Sequence, residues 1–570
     1  MISRNELKVR ISQALSQTPA DLVIKNIDYL SVTTGEILHG DIAICGNYII
    51  ATGEDYHGKR EIDGTGLTAV PGFVDAHLHV ESSMITPYEF ERCVLPRGTT
   101  TAVCDPHEMC NVKGRQALEY FLKCSERMIM DLRVQLSSCV PATHMETSGA
   151  RLTLDDLLPL KNHPQCSGLA EFMNFPGVLM QLPEVLEKLE AFSESGIDGH
   201  CPLLQGKELN AYIAAGIRND HECSTPEEAL AKINKGMRVF IREGSVAKNL
   251  HALVSIINNF TVSFVAFCTD DRNPLEIASE GHIDYLIRTA IELGVEPALA
   301  YRAASRSGAE AFNLNDRGII APGHRADIVL LSDYRRCQVA QVIKNGQIVT
   351  PELFEQRPPA PSSGFAEKSL IRSKVSAEDF RITSKSAATR VIEIIPSSLI
   401  TNDLKMELPF DGTEKFALPE KDILKVAVLA RHGSNENIGR GFVKGFGITS
   451  GAIASSVGHD SHNICVTGVS ETDMAKAVNA LIECGGGMCA VKNGQIIAML
   501  KLPIAGIISD EPFEKVEAQL RELHSKVVQT GCPLEQPFLQ LAFLPLPVIP
   551  FLKITDLGLV DVTKFELIET

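Results

Sequence analysis

The amino-acid sequence predicts an α/β protein, in which a (β/α)8 TIM-like barrel has β segments on both flanks and is followed by a separate C-terminal α+β domain. Three observations support this prediction. Eight candidate strands alternate with helical stretches between residues 67 and 315, which is the number of units that such a barrel needs. Strand patterns occur on both sides of this region. A linker rich in proline and serine then separates it from a stretch of mixed α+β pattern.

The two flanks, residues 1–66 and 316–356, are predicted to be mainly β structure. The first opens with a short amphipathic helix over residues 1–15. Alternating apolar runs, broken by Gly and Asn, then predict strands and hairpins. These patterns lie at residues 21–29, 31–42, 48–51, 326–331 and 339–349. In the last of them, Asn345-Gly346 predicts a two-residue hairpin turn.

The barrel region, residues 67–315, contains the strand–helix units. The candidate strands end near His79, Asp105, Ser138, Phe172, His200, His221, Ile241 and Thr269. The helical stretches between them include residues 114–130 and 226–235. Active sites of this fold lie at the carboxyl ends of the strands, so catalytic residues are expected there.

The C-terminal part of the chain is predicted to fold as a third unit over residues 383–570. It is preceded by a linker over residues 357–382, which opens with RPPAPSSG, a sequence that does not support regular structure. Strand patterns at residues 423–429 and 496–500 occur together with a helical pattern at residues 472–484. This mixture is typical of an α+β domain.

Composition excludes several classes of protein. The 54 Lys and Arg residues against 71 Asp and Glu residues leave a formal charge of −17, which disfavours binding to nucleic-acid phosphates. No apolar segment is long enough for a membrane span, and the N-terminus lacks the apolar core of a secretory signal. The 15 cysteines show no CxxC spacing and are interpreted as reduced core residues, so a cytoplasmic location is expected.

The strongest functional signal is PGFVDAHLHVE, in which His77 and His79 stand at the end of an apolar strand. Residues i and i+2 of a strand share a face, so both imidazoles point into the barrel mouth. The pair alone is a weak signal, because two surface histidines give the same pattern. Further ligand-type side chains stand one per strand at predicted strand ends, namely Glu171, His200, His221 and Asp270. Four imidazoles and two carboxylates suit a pair of divalent ions such as Mn²⁺, Fe²⁺ or Zn²⁺, with Glu171 able to bridge them.

These motifs resemble the amidohydrolase superfamily and, more closely, its adenine deaminase branch. The resemblance covers nearly the whole chain through PGFVDAHLHVESSM, TTTAVCDPHE, GLAEFMNFPGV, CTDDR and GFGITSGAIASSVGHDSHN. It implies a composite β-sandwich made from both flanks of a metal-binding barrel, and hydrolytic deamination of adenine to hypoxanthine and ammonia in purine salvage. Many barrel relatives carry a carboxylated lysine on strand four, whereas this sequence has Glu171, as the adenine deaminase branch does.

The expected mechanism assigns roles to residues at the barrel mouth. Asp270 takes the proton of the nucleophilic water and delivers it toward the leaving amine or a ring nitrogen, beside the bridging Glu171. His107 and Glu108 follow the second strand, and either they contact the purine and move protons or they belong to a turn shaped by Pro106. Glu81 is a further candidate for substrate contact. Mn²⁺ is the expected cofactor, with two ions per chain and Fe²⁺ or Zn²⁺ as alternatives.

The sequence alone leaves three points open. His459, Asp460 and His462 in the C-terminal domain form either a lid over the barrel or a polar turn. Two other functions compete, cyclic amide or imide hydrolysis of the dihydropyrimidinase type and a catalytically silent scaffold, although such scaffolds lose ligands and all six stand here. A homo-oligomer acting on adenine and water is expected, without nucleic acid or membrane, but the residues alone do not separate adenine from other purines.

Overall fold

A computed structural model describes residues 2–245, 247–365, 369–396 and 398–569. Its centre is a barrel of eight parallel strands, the first five in one sheet and the last three in another. The strands are Phe73–Leu78, Thr99–Cys104, Asp131–Leu136, Cys166–Phe172, Gly196–Gly199, Asn219–Asp220, Arg238–Arg242 and Val265–Cys268. Each ends within two residues of its predicted position, and the predicted barrel is confirmed.

Backbone hydrogen bonds join the two parallel sheets into one barrel. The N–H of Asp270 donates to the carbonyl of His77 over 3.0 Å, which connects the end of the eighth strand to the first. The N–H of Arg218 donates to the carbonyl of Ile197 over 3.4 Å, which connects the fifth strand to the sixth. The first and second strands are buried throughout, because helices cover them outside and side chains fill the barrel inside.

Helices surround the barrel, and prolines mark the first turns of several. Thr86 and Thr225 each accept a hydrogen bond from the backbone N–H three residues later, and each is followed by a proline that starts the helix. None of the helices in the described part of the chain is long and apolar enough to cross a membrane. The helices of this region are Pro87–Val94, His107–Lys113, Arg115–Ser125, Leu154–Leu157, Phe175–Leu179, Pro183–Ala191, Gly206–Ala214, Pro226–Ile233, Leu250–Leu253, Pro274–Ser279, Ile283–Glu292, Pro297–Arg302 and Gly308–Ala311.

Strands from both flanks form one mixed eight-stranded sheet. They are Leu22–Leu30, Ile37–Cys45, Tyr48–Thr52 and Glu61–Asp63 from the first flank, Ile328–Asp333, Gln338–Lys344 and Gln347–Ile348 from the second, and Thr68–Pro71, which lies just inside the region predicted to be barrel, residues 67–315. The flanks meet where Ile328–Asp333 runs antiparallel to Thr68–Pro71. The predicted hairpin turn is confirmed, since Asn345 and Gly346 have φ of 50° and 73°.

The C-terminal domain contains a second eight-stranded sheet and three helices. In spatial order the sheet strands are Thr401–Glu407, Ala388–Ile394, Ile438–Lys444, Ile423–Leu429, Ile464–Gly468, Ala452–Ser455, Gly487–Lys492 and Gln495–Lys501. Smaller sheets comprise Ile382–Thr383 with Glu414–Lys415, and Leu552–Thr555 with Gly558–Asp561 and Glu566–Ile568. The helices are Glu471–Cys484, Phe513–Val527 and Pro537–Ala542. The strands predicted at residues 423–429 and 496–500 and the helix at 472–484 are confirmed.

The C-terminal domain packs over the carboxyl ends of the barrel strands. The carboxylate of Asp556 accepts hydrogen bonds from the backbone N and the Oγ1 of Thr147, at 2.8 and 2.6 Å. Ser461 Oγ donates to Glu146 Oε2 over 2.7 Å. One apolar core is continuous from the barrel into this domain. The mouth of the barrel is therefore covered.

Two segments outside the sheets, the N-terminal helix and the linker, differ in how well the sequence predicts them. The N-terminal helix Arg4–Ala14 forms as expected, but its predicted amphipathic character is wrong, and its apolar residues Leu7, Val9 and Ile11 are 44%, 49% and 58% exposed. These residues alternate with period two, which distributes them around a helix instead of along one face. After the helix Pro351–Gln356, residues 357–364 contain no helix or strand, as their sequence predicts. The rest of the predicted linker, which ends at residue 382, contains a 3-10 helix at Ala377–Phe380 and the start of the strand Ile382–Thr383.

A close backbone approach at Gly439 gives a test of this packing. A Cβ on Gly439 would lie 1.8 Å from the carbonyl oxygen of Thr555, in the hairpin that carries Asp556. We expect Gly439→Ala to lower the free energy of unfolding by about 3 kcal/mol, since a backbone atom must move. Gly441→Ala is the matched control, because its nearest neighbours are side-chain carbons of Leu559 and Ile554 at 3.0 and 3.3 Å, which can shift. Denaturant unfolding that gives equal losses for the two variants would contradict the predicted constraint.

Candidate active site

The six side chains predicted to bind metal converge at the carboxyl ends of the barrel strands. Glu171 lies near the end of the fourth strand, and the other side chains lie at or just after the ends of four further strands. Five of the six are buried and one is half-buried. The buried ones are His77, His79, Glu171, His221 and Asp270, and the half-buried one is His200.

The carboxylate of Glu171 is the centre of this cluster. Its Oε1 lies 3.7 Å from His77 Nε2 and 3.4 Å from His79 Nε2. Its Oε2 lies 2.7 Å from His200 Nδ1 and 3.3 Å from His221 Nε2. Each oxygen thus faces a different pair of the four predicted ligand imidazoles, so this carboxylate could be shared by two cations.

Asp270 joins the His77 and His79 side of the cluster. Its Oδ1 lies 3.7 Å from His77 Nε2 and 3.2 Å from His79 Nε2. Its Oδ2 accepts a hydrogen bond from Arg242 Nη1 over 2.9 Å. Arg242 also pairs with Glu222, whose Oε1 lies 3.6 Å from an imidazole nitrogen of the cluster, His221 Nε2.

Arg242 and Glu222 were not predicted from the sequence. Arg242 ends the seventh barrel strand, for which no functional residue was expected, and Glu222 directly follows the predicted ligand His221. Their positions at strand ends are the signal that could have identified them, since side chains there face the barrel mouth.

Buried hydrogen bonds orient these side chains. Asp75 accepts hydrogen bonds from the backbone N and Oγ1 of Thr269 at 3.1 and 2.6 Å, which holds the residue before Asp270. Asp270 has a φ of 52°, in the left-handed region that Asp tolerates better than most residues. His79 Nδ1 donates to the carbonyl of Asp105 over 2.8 Å, which leaves Nε2 free to face the cluster.

The electrostatics of the cluster favour ionised carboxylates. Burial alone would raise the pKa of Glu171, but hydrogen bonds from His200, His221 and His79 hold this pKa well below its usual range. Burial would likewise raise the pKa of Asp270, whereas His79 and Arg242 lower it strongly. Burial would lower the pKa of His221, yet the hydrogen bond to Glu171 raises it to about 9. The two carboxylates thus stay charged only in the presence of nearby positive charge, which bound cations also supply.

The residues present fit a metal centre. Both ring nitrogens of His77 are buried without a hydrogen-bond partner among the described residues, and such atoms are costly unless they are paired. The contacts of 3.2 to 3.7 Å around His77 and His79 match the distance of about 3.3–3.6 Å between ligand atoms that lie about 2.0–2.2 Å from one ion. A divalent ion would therefore find donors at suitable spacing.

His107 and Glu108 lie between this cluster and the C-terminal domain. They open the helix His107–Lys113, so they do not form a simple turn. His107 Nδ1 donates to Asp105 Oδ2 over 3.0 Å and lies 3.4 Å from Glu171 Oε1. Glu108 pairs with two histidines of the C-terminal domain, His459 and His462.

Two adjoining cavities lie at the covered barrel mouth. The first, which we call the metal cavity after its predicted ligands, comprises about 560 Å³ of space that includes open solvent and has the polar cluster as its floor. Its apolar roof comes from the C-terminal domain and consists of Leu399, Phe543, Leu546, Val548 and Ile549. The second cavity, of about 580 Å³, shares Glu108, Asp271 and His459 with the first.

Glu81 lines the second cavity. Its Oε1 accepts a hydrogen bond from the backbone N of Met109 over 3.0 Å. Its Oε2 is buried and has no partner among the described residues, and burial raises the pKa of this carboxyl to about 7. Glu81 therefore lines the cavity that adjoins the predicted metal-ligand cluster.

The barrel and its ligand cluster define a metal-dependent hydrolase of the amidohydrolase type, and residues 68–349 match the model of the amidohydrolase family. Residues 398–566 match the model of the adenine deaminase C-terminal domain. The chain is 58% identical to an adenine deaminase of Gluconobacter oxydans over 97% of this chain and 98% of that protein. It is 54% identical to one of Brucella anthropi over 98% and 99%, and 52% identical to adenine deaminase 1 of Agrobacterium fabrum over 99% and 98%. The chain belongs to the adenine deaminase family.

Metal binding at this cluster should stabilise the fold. We expect removal of divalent ions by a chelator to lower the unfolding temperature and added Mn²⁺ to restore it, because a ligand at 100 times its Kd stabilises by about 2.7 kcal/mol. His77→Asn should abolish the response to Mn²⁺, since it removes a ligand from the cluster. His282→Asn is the control, because both ring nitrogens of the buried His282 already bond to threonine hydroxyls. Thermal unfolding together with metal analysis measures the effect, and a full Mn²⁺ response in His77→Asn would contradict it.

Proposed function

We propose that this protein hydrolyses adenine to hypoxanthine and ammonia in the cavity at the barrel mouth. The observation that carries the proposal is the 58% identity to a named adenine deaminase over 97% of the chain, in a protein whose ligand cluster is complete. The cavity also has a polar floor and an apolar roof, which suits a flat heteroaromatic base that reacts at one edge.

The proposed cofactor is Mn²⁺, with two ions per chain and Fe²⁺ or Zn²⁺ as alternatives. The two oxygens of Glu171, which face separate pairs of imidazoles, support two ions with a shared carboxylate. Imidazole and carboxylate ligands together suit all three metals. Ions of this kind lower the pKa of a coordinated water, so that it is a nucleophile near neutral pH.

Asp270 is proposed to move the proton of the nucleophile. Its Oδ2 accepts a hydrogen bond from Arg242, which fixes the plane of the carboxylate and leaves Oδ1 toward the cluster. The hydrolysis requires one proton to leave the attacking water and one to reach the departing amine, because ammonia and not the amide anion must leave. A carboxylate within reach of both groups can transfer that proton without a second base.

His107 is the second candidate for proton transfer. It lies 3.4 Å from Glu171 Oε1 on one side and 3.3 Å from Glu108 Oε1 on the other. The Asp105 charge raises the pKa of His107 well above its usual range against the effect of burial, so this imidazole is a donor at neutral pH. Glu108, which lines the same cavity, and Glu81 in the adjoining cavity are proposed substrate contacts.

The cover formed by the C-terminal domain is proposed to exclude bulk water from the reaction. Phe543 and Leu546 are buried within the roof, opposite the carboxylates. A dry cavity strengthens the electrostatic interactions inside it.

Two further predictions concern the cell and assembly. We propose a cytoplasmic location, because all 15 cysteines are free, as expected in a reducing compartment. We also propose a homo-oligomer, the assembly expected from the sequence. Both stay predictions.

The reaction is tested by following ammonia and hypoxanthine. We expect Mn²⁺-reconstituted protein to release ammonia and hypoxanthine from adenine, metal-depleted protein to be inactive, and adenosine to be a far poorer substrate. Dihydrouracil is the control substrate, because a cyclic amide hydrolase would open its ring without releasing ammonia. Ring opening of dihydrouracil without deamination of adenine would support the alternative hydrolase, and inactivity on both substrates at full metal loading would support a scaffold.

The role of Asp270 is tested by Asp270→Asn. We expect kcat to fall about 100-fold or more, which is the usual contribution of a positioned acid–base group, while some metal stays bound. Asp198→Asn is a matched control, since Asp198 is a buried barrel carboxylate that accepts a hydrogen bond from Asn219 at 2.7 Å. Steady-state kinetics and metal analysis compare the two variants. Near-normal turnover of Asp270→Asn would exclude the assigned role.

A further inference from the structure

A rigidly held loop of the C-terminal domain, residues 456–463, reaches the metal cavity. The fully buried side chain of Arg431 donates hydrogen bonds to the backbone carbonyls of His462, Ser369 and Ala505. These three carbonyls belong to separate segments of the domain. Arg431 therefore ties the loop to the body of the domain, and the side chains of the loop have defined positions in the cavity wall.

Asp460 is an acidic side chain of this loop that lines the metal cavity. It is 3% exposed, and its Oδ2 has no hydrogen-bond partner among the described residues. Its Oδ1 lies 3.9 Å from His107 Nε2 and 4.0 Å from His459 Nδ1, beyond hydrogen-bond distance. A buried carboxylate without donors is costly, so a donor is expected from whatever occupies the cavity.

Asp460 lies across the imidazole of His107 from Glu171. His107 lies between the two, with Nδ1 at 3.4 Å from Glu171 Oε1 and Nε2 on the side of Asp460. Asp460 is thus separated from Glu171 by the width of an imidazole ring. A purine bound with C6 toward the cluster would reach this part of the wall with its five-membered ring, and Phe543 and Leu546 line the same cavity.

We infer that Asp460 accepts a hydrogen bond from the ring N–H of the bound purine and thereby selects the free base over the nucleoside. This inference rests on the proposed function. Neutral adenine has its single ring N–H on the five-membered ring, where a nucleoside carries its sugar. A site built around an acceptor strongly rejects an analogue without the donor, because the acceptor then stays buried and unpaired.

Variants of Asp460 and a methylated base test this contact together. Asp460→Leu has no acceptor, Asp460→Asn keeps one acceptor oxygen, and 9-methyladenine has no ring N–H. We expect KM for adenine to rise about tenfold or more in Asp460→Leu, with a smaller rise in Asp460→Asn and little change in kcat in either. The wild-type preference for adenine over 9-methyladenine, measured from KM or inhibition constants, should be lost in Asp460→Leu and reduced in Asp460→Asn.

Asp556→Asn is the matched control. It removes a carboxylate that bonds to Thr147 across the same interface, and Asp556 does not belong to the cavity lining. We expect this variant to lower the unfolding temperature and to keep the preference for adenine over 9-methyladenine. A role of Asp460 in folding alone would affect both bases equally, as the control does.

Each other outcome overturns the inference. If Asp460→Leu keeps the preference for adenine over 9-methyladenine, another group binds the ring N–H. If the binding of both bases weakens equally, the role of Asp460 is structural. Loss of bound Mn²⁺ in Asp460→Leu would make it a metal ligand, together with His107 and Glu108, which lie within reach of one ion. Wild-type protein that releases no ammonia from adenine would remove the proposed function as well, whereas an active wild type with an unchanged preference in Asp460→Leu would overturn only this inference.

Discussion

The contact between one carboxylate and four imidazoles is the constraint on which the rest of the site depends. Glu171 sits on the fourth strand, and the imidazoles come from the first, fifth and sixth. Its two oxygens can face both pairs only when the barrel is closed, so the same backbone bonds that join the eighth strand to the first also complete the site. Two further residues help to orient the site. Asp75 accepts a hydrogen bond from Thr269 Oγ1, and the backbone carbonyl of Asp105 accepts one from His79 Nδ1.

The C-terminal domain, which covers the barrel mouth, provides the water-poor environment that this cluster needs. Buried carboxylates and imidazoles interact strongly only where water is scarce, and the open mouth of a barrel does not provide that environment. The C-terminal domain supplies an apolar roof through Phe543 and Leu546, and it is fixed to the barrel by polar contacts such as Asp556 with Thr147. Apolar side chains of the domain thus form the roof of the cavity, and two ionisable residues of the same domain, His459 and Asp460, also line it.

The sequence predicted those features that depend on local pattern. Strand ends and the residues on them follow from apolar periodicity, and His77, His79, Glu171, His200, His221 and Asp270 were found in this way. Features that depend on the meeting of distant segments were not predicted. Arg242 is recognisable as functional only once its contact with Asp270 is known, and the apolar residues 543–549 resemble any buried stretch until they are seen above the cluster. The prediction of an amphipathic N-terminal helix was wrong for a local reason. Its apolar residues alternate with period two, and this spacing does not place them on one face of a helix.

The division of the site between two domains has a chemical consequence. The barrel carries the groups that act at the reacting carbon, and these groups would serve many substrates in which an amine or amide can be displaced. The C-terminal domain adds an apolar surface and a buried acceptor without a partner among the described residues, Phe543 and Asp460, to the proposed barrel contacts Glu81 and Glu108. Glu108 connects the two parts, since it follows the second barrel strand and pairs with His459 and His462. In the proposed function, the barrel therefore supplies the reacting groups, whereas recognition of the base involves residues of both domains.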